Sequence, residues 1–467
     1  MTLLDTGTDL APAPLPHAPA RRHLRTARRL LPEVAVVAGL GWWATYLTWG
    51  TGGREPHVLA VGCVLAALGW LLVRPERVLR RRVLLLGHAL SLGAVAVVLT
   101  APTGWAGRDD AAAWVLAAQT GLLLLAWARD DVRRLVLLTA LLAAGGAQFA
   151  QGWLPWWGAQ DPEKLFQGTF YWHNQVGIFL AAAAVLALAT LAGGGPLARL
   201  GWVVAPLAVT GTLFTTSRGS QLGLLLGAVL LLALAGRSIA PRLRVLGGLG
   251  LGWATSWLLT GPPFFDERVA PTAGTAARSE SFVDNGVTRV EDWAAAWEVF
   301  ARWPLTGGGF DGFRAGTVAA EVGERAGATA YAHNGYLQAL SDGGLLLARP
   351  LLGVLAAVAW AVARALPAAV RRGDLAQVGA AVTLLVLGLH SGMDFDWAYP
   401  SLLLMVPLVA ALALPPATGA VDPAAAGGHR RTRPWSSRAA ALAPAVLLLL
   451  AAVAAWGGGL SHNAPLG

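Results

Sequence analysis

Apolar runs of about 17–25 residues, the length a helix needs to cross a hydrocarbon core, recur along this chain. A helix on a soluble core would alternate apolar and polar faces, but segments 181–191 and 222–234 are apolar on almost all sides. Their surround is therefore lipid. With 55% hydrophobic and only 13% charged residues, the expected fold is an all-α integral membrane protein of about 13 transmembrane helices, with one large extracytoplasmic loop containing short helices. The windows are 33–50, 58–73, 83–100, 111–127, 135–150, 174–192, 200–214, 219–235, 243–260, 335–363, 376–393, 400–415 and 439–456. The organisation read from them is a basic cytoplasmic segment 1–32, helices over 33–260, a large outer loop 261–334, helices over 335–415, a basic cytoplasmic segment 416–438, and a last helix with a short outer tail over 439–467.

Charge sets the orientation. Basic clusters at 21–29, 74–82, 129–134, 237–244, 364–372 and 430–438, with Arg199, all fall on one side if the N-terminus is cytoplasmic. The other connections, 50–57, 102–110, 151–171, 215–218, the long loop and 391–399, carry few basic residues and many aromatics. The long loop then faces outward. The same dispersal of arginine over short connections explains the net charge of +9 and leaves no basic face for nucleic acid. The N-terminus reads as an uncleaved signal anchor. Cys63 stands alone inside the second window, so neither a disulfide framework nor a thiolate metal cluster is expected.

The chemistry should lie at the outer surface. Arg218 follows Thr215, Thr216 and Ser217 where a span begins. An arginine at membrane depth needs an anionic partner. It either snorkels and caps the helix, or clamps phosphate with help from the helix N-terminus. Val290, Trp293, Trp297 and Phe300 recur at helical spacing beside Arg289, as an amphipathic helix on the membrane or as a stripe packed on the outer ends of the spans. The Gly307-Gly308-Gly309 cluster lacks the strand and Lys-Ser/Thr of a nucleotide loop, so a tight turn is the default. His333 and Asn334 close the loop; a lone histidine there is either a satisfied polar group or a working one, and no second ligand stands at metal spacing. His173 and Asn174, and His390 with Asp394 and Asp396, add polar groups on the same side. His390 and Asp394 share a face only if their helix continues.

These residues carry a resemblance. Thr-Thr-Ser-Arg-Gly-Ser at 215–220, then Arg289 with Trp293, Phe300 and Pro304-Leu305-x-Gly-x-Gly-Phe, then Ala332-His333-Asn334-x-x-Leu-Gln with Asp342-x-Gly, resembles the O-antigen ligase family over roughly residues 170–400. The family includes lipopolysaccharide ligases, protein oligosaccharyltransferases and related polymerases. The resemblance implies a glycosyltransferase that moves a glycan from an undecaprenyl diphosphate carrier to an acceptor glycan, lipid or protein on the outer side of the membrane. It also implies that Arg218 and Arg289 hold the diphosphate and that His333 contacts the acceptor or acts as base. Ser217, Asn334, His173 and Asn174 are the expected substrate-binding residues. His173-Asn174 stands where Asn-Pro-Asn is usual, and Ser341-Asp342-Gly343-Gly344 where Glu-x-Gly is commoner; both departures bear on acceptor specificity.

The sugar–diphosphate bond is already activated, so the protein has to stabilise the leaving charge and orient the acceptor. Two arginines can replace the Mg²⁺ common at diphosphate sites, and the expected transferase is inverting and metal-independent, with no cofactor. A polysaccharide polymerase of the same superfamily is the nearest alternative. A transporter or flippase of a lipid-linked or anionic solute would want internal repeats or paired broken helices, and no clear repeat is present. A structural scaffold requires the outer polar residues to be replaceable.

The charge alternation predicts that Ala276→Cys and Ala328→Cys proteins react with an impermeant thiol reagent applied to intact cells, whereas Ser238→Cys does not. Protection of both loop positions would overturn the outward orientation.

Overall fold

A computed structural model describes residues 19–48, 50–159, 166–236, 238–260, 271–310, 312–321, 331–415 and 438–462. Every regular element among them is helical: α1 (Pro19–Trp42), α2 (Pro56–Val73), α3 (Arg81–Thr100), α4 (Arg108–Trp127), α5 (Asp131–Ala159), α6 (His173–Gly193), α7 (Ala198–Phe214), α8 (Arg218–Leu234), α9 (Ile239–Thr260), α10 (Pro271–Arg302), α11 (Gly312–Ala319), α12 (Gly335–Arg372), α13 (Leu375–Ser391), α14 (Pro400–Ala413) and α15 (Arg438–His462). The first apolar window, 33–50, runs from α1 into a short π-helix at Trp43–Leu47, and the other twelve of the thirteen fall on one of these helices to within two residues. Six are long and apolar enough to cross a membrane, and five more are shorter apolar helices. The chain is a membrane protein with an all-helical fold.

Two boundaries differ from the sequence reading. The basic segment before residue 33 is helical from Pro19, continuous with the first apolar run. The segment 261–334 holds one long helix, α10, and the one-to-two-turn α11. Residue 328 and the basic stretch 416–437 lie outside the described residues.

The centre of the bundle is α6. Residues Gln175 through Ala192 are all buried, because α5, α7, α8, α9 and α13 pack around it. Small residues make the approach close enough. A Cβ at Gly145 would meet Ala183 of α6 at 2.5 Å, and Cβ atoms at Gly227 and Gly379 would collide with Val185 and Ala189 of the same helix. Around this centre, large apolar side chains such as Leu222, Leu225, Trp253 and Trp257 are exposed on α8 and α9, as a lipid-facing surface requires.

Polar side chains fasten the remaining helices. Gln119 of α4 donates to Ser91 Oγ of α3 at 2.7 Å, and its carbonyl accepts from Trp70 Nε1 of α2 at 3.1 Å. Arg133 of α5 forks onto Glu33 of α1 at 3.1 and 3.2 Å through Nε. Arg134 donates to the last carbonyls of α14, Ala411 at 3.1 Å and Leu414 at 2.6 Å, which satisfies orphan acceptors at the negative end of that helix.

The glycine cluster serves packing. Gly344 breaks α12 with φ 51° and ψ −152°, a region open in practice to glycine alone. The break frees the N–H groups of Leu345 and Leu346, which donate to Pro304 and Leu305 carbonyls at 2.9 and 3.0 Å. Gly308 and Gly309 N–H groups donate in return to Ser341 and Asp342 carbonyls at 2.8 and 2.9 Å. So 304–309 is a turn docked by backbone onto a broken helix, the tight-turn reading of the sequence. Gly344→Ala puts a Cβ 2.5 Å from Gly307 N in a forbidden conformation and should destabilise the purified protein by about 1–3 kcal/mol, read as a lower melting temperature in detergent. Gly250→Ala, where nothing lies within 4 Å, should not. Equal melting temperatures for the two variants would overturn this role for the break.

Candidate functional site

Helix α13 ends at Ser391, and the chain turns through 392–399 before α14. Asp394 in that turn is 2% exposed. Its carboxylate accepts from Asn174 Nδ2 at 2.8 Å, Gln175 Nε2 at 3.1 Å and Phe395 N at 2.9 Å. Its own carbonyl accepts from Gly335 N, the first residue of α12, at 3.0 Å. Arg289 and His333 complete the set: Arg289 Nη2 lies 3.7 Å from Oδ2, and His333 Nδ1 lies 3.5 Å from Oδ1. One carboxylate thus joins the starts of α6 and α12, the α10 helix and the loop end that carries His333.

Burial alone would raise the Asp394 pKa, but the contact with His333 and the positive potential of His390 and Arg289 win and hold it at about 2. The folded value is depressed. The stability this carboxylate contributes is therefore complete above the ordinary Asp pKa of about 3.9 and is lost as pH falls through the folded value near 2.

A second carboxylate supports the start of α8. His390 Nδ1 lies 2.8 Å from Asp396 Oδ2, which also accepts from Ser391 Oγ at 3.1 Å. On its other side, His390 Nε2 stands 3.4 Å from Ser220 Oγ. That hydroxyl donates to the Asn174 carbonyl at 3.2 Å and lies 2.9 Å from Ser217 Oγ. Ser217 is the N-cap of α8, with its side chain accepting from Ser220 N at 3.4 Å. Gly219 allows the fit, since a Cβ there would stand 3.1 Å from the His390 ring. The possible shared face of His390 and Asp394 does not arise: the helix stops at Ser391, so His390 turns to Asp396 instead.

The residues expected from sequence are distributed as follows. Arg218 is the first residue of α8 and is exposed, joined to the Asp394 cluster through Ser220 and Asn174. Arg289 is half-buried on Asp394. His173 Nδ1 donates to the Thr215 carbonyl at 2.9 Å, tying α6 to the turn before Arg218. Asn334 is the N-cap of α12, its Oδ1 accepting from Tyr336 N at 3.0 Å and Leu337 N at 3.1 Å. That oxygen is committed to the helix. Ser217 is likewise a cap. The indole of Trp293 donates to the His333 carbonyl at 3.4 Å, whereas Trp297 and Val290 of the same expected stripe are 56% and 59% exposed. The buried line of α10 is Asp292, Ala296 and Val299.

Both working segments begin with strained backbone. Thr216 has φ 53° and His333 φ 48°, and each immediately precedes an N-cap, Ser217 and Asn334. Left-handed conformations at non-glycine residues persist where the surroundings over-determine them. Here they are fixed by the cap on one side and by the Thr215 and Asp394 contacts on the other.

Gln175 and the central place of Asp394 were missed in the sequence. A signal existed for Gln175, an amide in the first turn of an otherwise apolar span, where polar groups are expensive. Among the described residues no three His, Cys, Asp or Glu side chains gather as metal ligands. The arrangement can hold an anion with Arg218, at the N-terminus of α8 where the macrodipole adds positive potential, and with Arg289 from the side of α10. It can also orient one imidazole against a carboxylate.

No curated protein matches the chain. Residues 202–349, which include Ser217, Arg218, Arg289, His333 and Asn334 but neither the start of α6 nor Asp394, match the family model described as O-antigen ligase, Wzy_C. That match agrees with the resemblance carried by the motifs and supports the O-antigen ligase family for this part of the chain.

Proposed function

We propose that the protein is a glycosyltransferase of the cytoplasmic membrane that transfers a glycan from undecaprenyl diphosphate to an acceptor hydroxyl or amide at the outer surface, by ligation or polymerisation. The observation that carries this reading is the convergence on Asp394 of Arg289, His333 and the helix starts that bear Arg218. An anion site and an oriented base are what this transfer needs from a protein.

The Nδ1 of His333 faces Asp394, so the tautomer with a proton on Nδ1 leaves Nε2 with its lone pair. Nε2 takes the proton of the acceptor O–H or N–H as the acceptor atom attacks the anomeric carbon. The bond from that carbon to the diphosphate oxygen breaks, and its electron pair leaves with undecaprenyl diphosphate. Direct displacement inverts the anomeric carbon. Arg218 and Arg289 hold the charge that develops on the leaving group, together with the N-terminal dipole of α8. Arg289, half-exposed while paired with Asp394, keeps guanidinium edge available for phosphate. The charge stabilisation assigned here needs no metal ion.

The decisive measurement is transfer by the purified protein in detergent, with an undecaprenyl diphosphate glycan, candidate acceptors and no added metal. Arg218→Ala and Arg289→Ala should each reduce transfer by about 10–100-fold, the worth of a charge-assisted contact. Lysine at either position should recover only part of this, because it keeps the charge and loses the fork. Wild-type rates and carrier affinity in both alanine variants would remove the anion clamp.

His333→Ala should lose about 10²–10⁴-fold in rate while still binding the carrier. Asp394→Asn should also lose rate, since the ring loses the carboxylate that orients it and sets its tautomer. A His333→Gln protein near the wild-type rate, or a wild-type rate–pH profile with no histidine-range limb when chemistry is limiting, would leave His333 as a positioning group and discard the base.

A further inference from the structure

The connection between α1 and α2 presents a cation that the transfer step above does not use. Thr51, Gly52 and Gly53 have φ of 50°, 67° and 91° in succession, an unusual run of left-handed backbone for three residues. It is pinned on both sides. The Gly52 carbonyl accepts from Ser401 Oγ at 2.7 Å, and a Cβ at Gly52 would stand 2.5 Å from the Tyr399 ring and 2.8 Å from Phe170. The Gly53 N–H donates to the Gly50 carbonyl at 2.7 Å. A turn this constrained fixes the direction of the next residue, Arg54.

The Arg54 guanidinium lies over two rings, 5.5 Å from the centroid of Tyr331 and 5.6 Å from that of Tyr399. Its neighbours lead to the reacting centre. Tyr331, two residues before His333, stacks flat on Phe395 with centroids 4.2 Å apart and planes 7° apart. Phe395 follows Asp394 in the chain and meets the His333 ring edge-to-face at 5.1 Å. Arg54 is nevertheless exposed. Among the described residues no carboxylate forms an ion pair with it, and Asp110 acts on it only through longer-range charge. A guanidinium carries five N–H donors, so contact with Tyr331 and Tyr399 still leaves donors to fork onto a carboxylate or phosphate.

We propose that Arg54 is the acceptor-side anion contact of this site: it binds a carboxylate or phosphate carried by the acceptor and so brings the acceptor's nucleophile to His333. The proposal rests on the transfer reading above. Arg218 and Arg289 reach the centre from α8 and α10 and belong to the diphosphate. Arg54 approaches from a different part of the chain, through Tyr331 and Phe395, beside the imidazole that must meet the acceptor. A rigid arginine held on two tyrosines adds selectivity for an acidic acceptor at little ordering cost.

The test uses two probes that differ by one carboxylate, octyl glucoside and octyl glucuronide, titrated into full-length protein in phosphatidylcholine nanodiscs. Wild type should bind the glucuronide at least about tenfold more tightly than the glucoside, the effect of one charge-assisted contact. Arg54→Gln should remove that preference and leave glucoside binding unchanged, and Arg54→Lys should restore part of it. Undecaprenyl diphosphate affinity should be unaffected by Arg54→Gln and weakened by Arg218→Ala. Equal affinity of wild type for the two probes, no measurable binding of the glucuronide, or a preference that survives Arg54→Gln overturns the proposal. So does loss of the preference in phosphatidylglycerol nanodiscs, which would assign Arg54 to lipid headgroups instead. Failure of wild type to bind undecaprenyl diphosphate, with the acidic preference intact, strikes the transfer reading and not the Arg54 contact.

Discussion

The site depends on one buried carboxylate. Taking Asp394 out of water is costly, and an isolated charge there would neutralise itself. It stays ionised because side-chain amides of α6, a backbone N–H of the 392–399 turn, the Arg289 guanidinium and the His333 imidazole meet it at once. The dependence is mutual. Without Asp394, Arg289 and the His333 ring would lose the group that orients them, and the first turn of α6 would be left with buried amide donors. Removing one partner from such a cluster leaves the others uncompensated, which costs more than the net worth of any single contact.

That carboxylate can only be placed by a rigid bundle. The α6 helix is buried on all sides, and glycines of α5, α8 and α13 let those helices close on it. Its first turn therefore has a fixed position, and Asn174 and Gln175 with it. The same turn is bound to α8 through Ser220 and to the α7–α8 connection through His173. Displacing the start of α6 would thus disturb Arg218 and Asp394 together.

Much of this was legible in the sequence because it is local. Apolar runs mark the helices, and all of the expected windows but the first fall on one to within two residues. Arg218, Arg289 and His333 stand in motifs with fixed internal spacing, whereas Ser217 and Asn334, expected to bind substrate, are the N-caps of α8 and α12. The rest was not legible because it is non-local or depends on where a helix ends. The contact of Asn174 with Asp394 spans 220 residues, and no periodicity encodes it. Whether His390 pairs with Asp394 or with Asp396 turns on α13 stopping at Ser391, a matter of one or two residues. The extent of α10 and the helical start of α1 at Pro19 were likewise hidden, since polar residues there mask the helical period. Nothing local in the sequence marks Arg54; only folding brings Tyr331 and Tyr399 to it.

The two strained residues show how local chemistry and non-local packing meet. A threonine and a histidine in left-handed backbone each cost of order 1–3 kcal/mol, and a glycine in either place would relieve that strain. Neither position carries one. Both precede a capping residue, so the chain must reverse direction there for the cap oxygen to reach the first N–H groups of the helix. At residue 333 the side chain produced by that reversal is the one that meets Asp394, and glycine would supply the turn without the imidazole. The strain is sustained by what surrounds it: the Asn334 cap, the Gly335 N–H on the Asp394 carbonyl, and the Trp293 indole on the His333 carbonyl. A backbone fixed by contacts from α10, α12 and the 392–399 turn holds the imidazole in one position, and in the proposed transfer that preorganisation is what a base needs to act within a single displacement.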